Sequence, residues 1–376
     1  MKYCSSAVPN NGTLVAVPRI QIQKRRKVKM KRLNLFATLF LVLVLLIAGC
    51  MPIPTTAPVA ESPVKKLVPF GVQQSWKNDA QSAPLHVAIE AGYYAEEGLD
   101  VHLVEGGPGI DGVLNTLAGR ENIYIGFEAG ESNLIPKRSE AGMPLVIIGA
   151  LMQQKPEAYI TLAENVPENA ELTPALMKGQ KIGVGGAENF KLEAMLSSAG
   201  LTLEDVELIR IDVSSAQALT MGLVDWANGW VINQTYDIEQ AGFEWKALLL
   251  ADWGNPMHGN LMYTTQERIE KEPELLAAFV RATLRGVQKC IDDPDYAIAA
   301  TLKHGGGYDT PEKARYVIEG MNVLSVSADT EEHGFGWVNK DRVLGVAEFL
   351  NKFTGIPVPN DIDQFVDLQF IEAANK

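Results

Sequence analysis

The sequence predicts an α/β protein with two lobes, mixed sheets with flanking helices and a helical C-terminal tail. Three observations support this fold class. The chain has 376 residues, which suits two lobes better than one ordinary core. Strand-like and helix-like segments alternate from residue 65 onward, as in βαβ units on a mainly parallel sheet. The alternation restarts near residue 157, and a return strand at 260–264 precedes an end that is nearly all helical.

These patterns divide the chain into four parts. Residues 1–49 form a leader, and residues 50–64 form a flexible tether. Lobe 1 combines residues 65–156 with 256–376, and lobe 2 is inserted between them as residues 157–255. The two crossings between the lobes would form a hinge. No internal repeat appears after the tether.

The leader has the pattern of a bacterial lipoprotein signal peptide. Lys31 and Arg32 open a basic region, residues 35–47 are apolar apart from one Thr, and the sequence Ile-Ala-Gly-Cys ends at Cys50. This tetrapeptide resembles the lipobox, which implies that Cys50 is lipidated. The small residues before Cys50 would fit the pocket of the lipoprotein signal peptidase. The alternative is an uncleaved anchor helix that ends in an ordinary cysteine. Met30 has the features of the natural start, so residues 1–29 are interpreted as an extension or a long basic region.

The charge distribution argues against nucleic acid as a partner. The leader holds nine of the 33 Lys and Arg residues and none of the 46 Asp and Glu residues. The rest of the chain is therefore strongly acidic and repels phosphate backbones. Residues 51–63 are rich in Pro, Thr, Ala and Ser, a composition that does not bury enough apolar surface to fold and therefore indicates a tether.

The elements of the body are predicted from period, caps and breakers. In the first lobe, strands are expected at 67–72, 100–104, 123–127 and 144–151, and helices at 84–97, 112–118 and 133–141. In the second lobe, strands are expected at 158–163, 181–184, 206–212, 224–230 and 245–250, with helices after Pro174, at 189–198, at 216–221 and through Tyr236. Thr310 followed by Pro311 predicts another helix start.

Two glycine-rich turns follow predicted strands. Residues 107–112 match GxGxxG, which would indicate a dinucleotide site if it followed the first strand of the body; here it follows the second, and the helix after it is short. We interpret this segment as a turn that exposes backbone N–H groups to a cleft. Residues 183–186 make a similar turn at the start of the second lobe. A tight turn without a ligand is the alternative.

No pattern of catalytic or metal-binding residues is present. Cys4, Cys50 and Cys290 form no CxxC, and Cys290 is expected to be a buried core residue. The five histidines include no pair at helical spacing, and neither GxSxG nor the Walker motif occurs. Neither a metal nor a cofactor is predicted.

Three segments carry a family resemblance. Residues 84–101, PLHVAIEAGYYAEEGLDV, resemble a helix–strand signature of the pyrimidine-synthase-like periplasmic binding proteins, a group that includes sulfonate, nitrate and riboflavin binders. Residues 178–184 and 222–227 resemble their second-lobe entry strand and a later strand. The resemblance implies a type II binding-protein fold that delivers a small molecule to an ABC importer in the membrane. Residues 121–126 and Trp226 depart from the family pattern near the expected cleft.

The expected ligand is a small heteroaromatic compound, either a thiamin pyrimidine precursor or a riboflavin-like molecule. Residues 230–236 resemble a region that faces such ligands in relatives. Aromatic rings near strand ends can stack on a flat ligand, and amides there can form hydrogen bonds with the polar atoms at its edge. The candidate ligand-binding residues are Trp76, Asn78, Glu128, Gly185, Asn189, Phe190, Trp230, Asn233, Tyr236 and Trp253.

Two other functions stay open. A binding protein for sulfonate, nitrate or another small anion would need positive charge at the cleft, where Lys77 is the obvious candidate. An enzyme of pyrimidine-precursor synthesis is the alternative from a different class. It is disfavoured because the body has only Cys290, because no histidine is paired with that cysteine, and because an exported protein would lack the metabolites.

Overall fold

The computed structural model describes residues 66–107, 109–185 and 189–376. The predicted leader, the tether and the lipidation residue Cys50 lie outside the described residues. Within the described part, no helix is both long and apolar enough to span a bilayer.

Within the described residues, the first sheet has five strands in the order β2-β1-β3-β10-β4. Its strands are β1 (Val68–Gln73), β2 (Leu99–Val104), β3 (Ile123–Glu128), β4 (Leu145–Met152) and β10 (Gly259–Thr265). Strand β1 runs parallel to β2 and β3, while β10 is antiparallel to both β3 and β4. The strand predicted at 260–264 is therefore the return strand of the first sheet. In sequence, this last strand of the first sheet follows all the strands of the second sheet.

The second sheet also has five strands, in the order β7-β6-β8-β5-β9. Its strands are β5 (Glu157–Leu162), β6 (Lys181–Val184), β7 (Glu207–Arg210), β8 (Trp226–Trp230) and β9 (Trp245–Leu249). Strand β6 is parallel to β7 and β8, and β5 is antiparallel to β8 and β9. The sheets confirm the predicted mixed α/β class, whereas the exact lobe boundaries stay a prediction.

Helices flank both sheets and make up most of the chain after β10. They are α1 (Ala83–Glu90), α2 (Tyr93–Glu96), α3 (Gly112–Ala118), α4 (Glu131–Ser139), α5 (Phe190–Ser198), α6 (Ser215–Thr220), α7 (Gln234–Gln240), α8 (Gln266–Lys271), α9 (Pro273–Asp292), α10 (Pro294–His304), α11 (Pro311–Leu324), α12 (Ala328–His333), α13 (Lys340–Thr354), α14 (Ile362–Phe365) and α15 (Gln369–Ala374). Short 3-10 turns lie at Ala80–Ser82, Arg120–Asn122, Ala163–Asn165, Pro174–Met177, Leu203–Asp205 and Leu250–Trp253.

Local sequence explains where several helices begin and end. The helix predicted at 84–97 is in fact two, because Gly92 adopts a left-handed conformation with φ of +75° and ends α1 before α2 begins. The helix expected after Pro174 is only a single 3-10 turn. At Thr310 the prediction is right, since its hydroxyl accepts a hydrogen bond from the Lys313 backbone N–H at 3.2 Å and caps α11.

The long helix α9 forms much of the core beside the first sheet. It buries an apolar face that includes Phe279 and Cys290, as predicted for that cysteine. Phe279 stacks on Phe70 of β1 with ring centroids 5.0 Å apart, and Tyr124 stacks on the same ring at 4.6 Å. Strand β4 lies at one edge of the first sheet and is still buried along its whole length, because its alternate residues pack into separate core clusters on the two faces of the sheet.

Candidate functional site

The candidate site lies where the chain crosses between the sheets. The first crossing joins β4 to β5 through residues 153–156, and the second leads from the turn at Leu250–Trp253 to β10. The two crossings are hydrogen-bonded to each other, because Lys155 N–H donates to the Met257 carbonyl at 2.8 Å. Parallel strands of both sheets end near these crossings, which is where open α/β sheets place their ligands.

The first sheet contributes a small cavity at the end of β1. Trp76 stands at this cavity with 48% of its surface exposed, as a free ring at a binding rim would. The lining residues are Gln74, Ser75, Trp76, Lys77, Asp79, Gln81, Ser82, Leu85, Phe127, Leu151 and Asn260. Lys77 does not point freely into the cavity, since its ammonium lies 5.6 Å from the centre of the Tyr308 ring.

Asn78 is held by the protein itself. Its Oδ1 accepts from Gln74 Nε2 at 2.9 Å and lies 2.7 Å from His86 Nε2, while its Nδ2 donates to the His304 carbonyl at 2.9 Å. Burial lowers the pKa of His86 to about 3, so the imidazole is neutral at physiological pH. A ligand contact from Asn78 would therefore have to replace one of these bonds.

Asp79 lines the same cavity and was not among the predicted residues. Its carboxylate accepts from the Gln81 backbone N–H at 3.0 Å, which caps the short turn before α1. Burial raises its pKa to about 6, and the nearby charge of Asp309 raises it further against the lowering effect of the Gln81 hydrogen bonds. The cavity thus contains a carboxyl group that titrates just below neutral pH.

Glu128 and the turn after it form the next part of the edge. The Glu128 carboxylate is half-buried and accepts from Asn133 Nδ2 at 2.8 Å, and burial raises its pKa. Glu131 follows at the start of α4 and is fully buried against His258, with 2.5 Å between Oε1 and Nδ1. The Asn339 backbone N–H donates to His258 Nε2 at 3.3 Å, so Nε2 is an acceptor and Nδ1 is the nitrogen that donates to Glu131.

A buried charged cluster connects the first crossing to the second sheet. Lys155 Nζ lies 2.7 Å from Glu157 Oε2, and Lys191 Nζ lies 2.9 Å from Glu157 Oε1. Asn228 Nδ2 donates to the same Oε1 at 3.2 Å. A single carboxylate therefore serves two ammonium groups, at the point where β5 begins and α5 starts.

The pKa values in this cluster follow from the arrangement in which Lys155 and Lys191 share the Glu157 carboxylate. Burial raises the pKa of Glu157, but the charges and hydrogen bonds of Lys155 and Lys191 outweigh it and bring the pKa down to about 2. Burial lowers the pKa of Lys191 to about 8, and the charge of Lys155 adds to this effect, while Glu157 opposes it. Glu157 is therefore firmly ionised, whereas burial makes the charge of Lys191 costly.

The predicted residues around α5 have mixed surroundings. Gly185 is exposed, and open space surrounds the position where a Cβ would lie. Asn189 precedes α5 and is half-buried, and its side chain does not cap the helix. Phe190 packs edge-on against Phe349 of α13, with 6.3 Å between the ring centroids. Phe190 thus links the second sheet to the C-terminal helices.

The predicted residues after β8 separate into two groups. Trp230 and Asn233 are half-buried near the strand end, where the Trp230 backbone N–H donates to Gln234 Oε1 at 2.7 Å. The Tyr236 ring instead faces Tyr316 of α11, with 5.5 Å between centroids. Trp253 packs against the core cluster that contains Leu192 and Leu248. Tyr236 and Trp253 are therefore engaged mainly in packing between elements.

Sequence reasoning missed Lys155, Glu157, Lys191 and Asn228. A signal was present, because Lys155-Pro156-Glu157 places two opposite charges between two largely apolar segments at a predicted lobe crossing. Charges at such a position are rarely buried unless they are paired. The described residues hold no group of three or more His, Cys, Asp or Glu side chains arranged to bind a metal ion.

Comparison with known proteins gives a family and two kinds of relative. A family model described as NMT1/THI5 like matches residues 79–297. Riboflavin-binding protein RibY from Chloroflexus aurantiacus is 28% identical over 347 residues, which cover 89% of this chain and 97% of that one. The formylaminopyrimidine-binding protein of Halalkalibacterium halodurans is 27% identical over 269 residues, covering 70% and 79%.

Enzymes also occur among the relatives. The 4-amino-5-hydroxymethyl-2-methylpyrimidine phosphate synthase of Legionella pneumophila is 23% identical and covers 59% of this chain and 69% of that one. Among solved structures, the periplasmic aliphatic sulphonate binding protein SsuA from Escherichia coli superimposes with a TM-score of 0.56 at 18% identity, over 81% of this chain and 92% of that one. The structural likeness confirms the predicted periplasmic binding-protein fold.

Proposed function

We propose, from the premise that this chain belongs to the NMT1/THI5-like family, that it is an extracytoplasmic binding protein that delivers a small heteroaromatic compound to an ABC importer. The observation that carries the proposal is the composition of the site. An exposed Trp76 ring stands on one side of the crossings, and the half-buried Trp230 and Asn233 stand on the other. Two rings and neutral amides suit a flat, uncharged ligand. Relatives that bind riboflavin and formylaminopyrimidine support this ligand class.

A small anion is the second candidate, because the ammonium groups of two lysines lie beside Glu157 at the first crossing. Lys155 and Lys191 give the anion hypothesis more positive charge than Lys77 alone, and a sulfonate-binding protein shares the fold. Both ammonium groups, however, already bond to Glu157 at 2.7 Å and 2.9 Å. An anionic ligand would have to displace a buried carboxylate, so the heterocycle is the better supported ligand.

An enzymatic role finds less support in the side chains. Burial raises the pKa of the Cys290 thiol to about 12, so this cysteine is not a nucleophile at neutral pH. His86 is neutral, and its two ring nitrogens contact Thr301 and Asn78 within the protein. The synthases among the relatives keep this function as the alternative from a different class.

Attachment to the membrane is part of the proposal. A diacylglycerol on Cys50 would anchor the chain, and residues 51–63 would let the body move between the anchor and the permease. The two lobes would close on the ligand about the hydrogen-bonded crossings at Lys155 and Met257.

Calorimetric titration of the purified body tests the ligand class. Riboflavin, formylaminopyrimidine and a short alkanesulfonate serve as the three probes. We expect saturable 1:1 binding of one heteroaromatic probe and no binding of the sulfonate at the same concentration. Binding of the sulfonate alone would favour the anion hypothesis, and conversion of a heteroaromatic probe would favour the enzyme.

A further inference from the structure

Two buried polar side chains, one in the second crossing and one in the helix that packs on it, have no hydrogen-bond partner among the described residues. Asn255 is only 3% exposed, yet neither its Oδ1 nor its Nδ2 is bonded. Ser132 is 9% exposed, and its hydroxyl is also unpaired. Buried polar groups are nearly always satisfied, since leaving one unpaired is costly. Such groups therefore need a partner that is not part of the protein.

The segments that carry these two residues are in contact. Asn255 lies in the second crossing, and Ser132 lies in the first turn of α4. Between them, a Cβ built on Gly130 would lie 3.4 Å from Met257 Sδ and 3.3 Å from Lys155 Cδ. The His258 backbone N–H donates to both carboxylate oxygens of Glu131, at 3.1 and 3.2 Å. The start of α4 thus packs directly on residues 255–258, beside the charged cluster at Lys155.

Asn255 has the hydrogen-bonding groups expected of a residue that recognises a heterocycle by its polar edge. A primary amide presents a donor and an acceptor side by side, and it pairs best with an edge that offers an acceptor and a donor in the same arrangement. Asn78, in contrast, uses both atoms of its amide on protein partners. Asn255 is therefore the amide, among the described residues, whose oxygen and nitrogen are both buried and without a hydrogen-bond partner in the protein.

We propose that Asn255 and Ser132 form the deep polar wall of the ligand site, and that Asn255 selects heterocycles with a hydrogen-bond donor and acceptor adjacent on one edge. This inference rests on the proposed function and specifies its ligand. The imide edge of an isoalloxazine and the amino-and-ring-nitrogen edge of a 4-aminopyrimidine both meet the requirement. An alkanesulfonate does not.

Asn255→Leu distinguishes a ligand contact from a structural role. Leucine has the same number of side-chain heavy atoms in the same branched arrangement and removes the unpaired polar atoms, so the melting temperature of the ligand-free protein should stay the same or rise. Affinity for whichever probe wild type binds, riboflavin or formylaminopyrimidine, should fall about tenfold to a hundredfold. Ser132→Ala should weaken the same binding about threefold to tenfold.

Asn322→Leu is the matched control. Asn322 is half-buried on α11, and its Nδ2 donates to the Cys290 carbonyl at 2.8 Å. Its loss should lower the melting temperature and leave the affinity unchanged, which is the reverse of the pattern for Asn255. If riboflavin is the ligand, methylation at its N3 should weaken binding to wild type and have little further effect on Asn255→Leu.

The outcomes separate this inference from the proposed function. Binding of the probe by Asn255→Leu and Ser132→Ala with wild-type affinity would overturn the inference alone and indicate that only ordered water satisfies these groups. If wild type binds neither heteroaromatic probe, the proposed ligand class fails, and the assignment of Asn255 fails with it. A lower melting temperature for Asn255→Leu with unchanged affinity would also contradict the inference, because it would show a structural role.

Discussion

Replacement of Glu157 by Gln tests the physical account of the charged cluster. The substitution keeps the shape and an acceptor oxygen but leaves the ammonium groups of Lys155 and Lys191 without their shared anion. The pKa of Glu157 falls from 4.5 to about 2 in the folded protein. At about 1.4 kcal/mol per pKa unit, the ionised carboxylate stabilises the fold by about 3 kcal/mol at neutral pH. We expect Glu157→Gln to lose about that much, in the range seen when one partner of a buried pair is removed.

The pH dependence provides a signature of this mechanism. Because the folded pKa of Glu157 lies below the unfolded value, its contribution is complete above about pH 5 and is lost as the pH falls toward 2. Urea denaturation of wild type and Glu157→Gln at pH 7 and at lower pH should therefore show a gap that narrows on acidification.

Lys191→Met is the companion variant, and its effect on the free energy of unfolding should be opposite to that of Glu157→Gln. Burial lowers the pKa of Lys191 to about 8, so its charge is a cost to the fold at neutral pH. Lys191→Met leaves Glu157 paired with Lys155, and we expect its stability to lie within about 1 kcal/mol of wild type or above it. Wild type should also gain stability as the pH rises above 8, and Lys191→Met should not. Equal losses in Glu157→Gln and Lys191→Met, or a gap that does not change with pH, would refute the reasoning.

Four further predictions concern the cavity, the ligand, the lobes and the anchor. Because burial raises the pKa of Asp79 to about 6, the stability of wild type relative to Asp79→Asn should fall by about 3 kcal/mol as the pH rises from 4 to above 6. Thermal melts of both proteins measure this difference, and parallel profiles would contradict it. Trp76→Ala and Trp230→Ala should each weaken ligand binding about tenfold to a hundredfold by calorimetry, with folding checked by circular dichroism, and wild-type affinity in both would exclude stacking. Saturating ligand should reduce the radius of gyration in small-angle scattering, and an unchanged radius would argue against lobe closure unless the free protein is already closed. Cys50→Ser should move the full-length protein from the detergent phase to the aqueous phase, and equal partitioning of both forms would show that Cys50 carries no lipid.

The sequence predicts the sheets well because their strands carry a local signal. The strand at 181–184 was predicted with the bounds that it has, and the return strand of the first sheet was placed within one residue at each end. Apolar runs between turn residues are sufficient for this. The break of α1 at Gly92 was missed because the apolar spacing continues through the glycine, and only its left-handed conformation ends the helix.

The site is harder to predict because side-chain direction depends on tertiary packing. Trp76 and Tyr236 look alike in sequence, as aromatic residues after a strand, yet one is half exposed and the other packs on Tyr316. The charged cluster brings together Lys155, Glu157 and Lys191 from a crossing, a strand and a helix. Lys155 and Glu157 are close in sequence, but only the fold brings Lys191 to the same carboxylate, so the sequence does not predict that this carboxylate is shared.

Native mass spectrometry of the gently purified protein tests the central claim most directly. Protein isolated without denaturation should carry a bound small molecule whose mass matches a heteroaromatic compound, in a 1:1 complex. Asn255→Leu, prepared in the same way, should retain much less of it. A co-purified sulfonate or other small inorganic or organic anion in wild type would contradict the account.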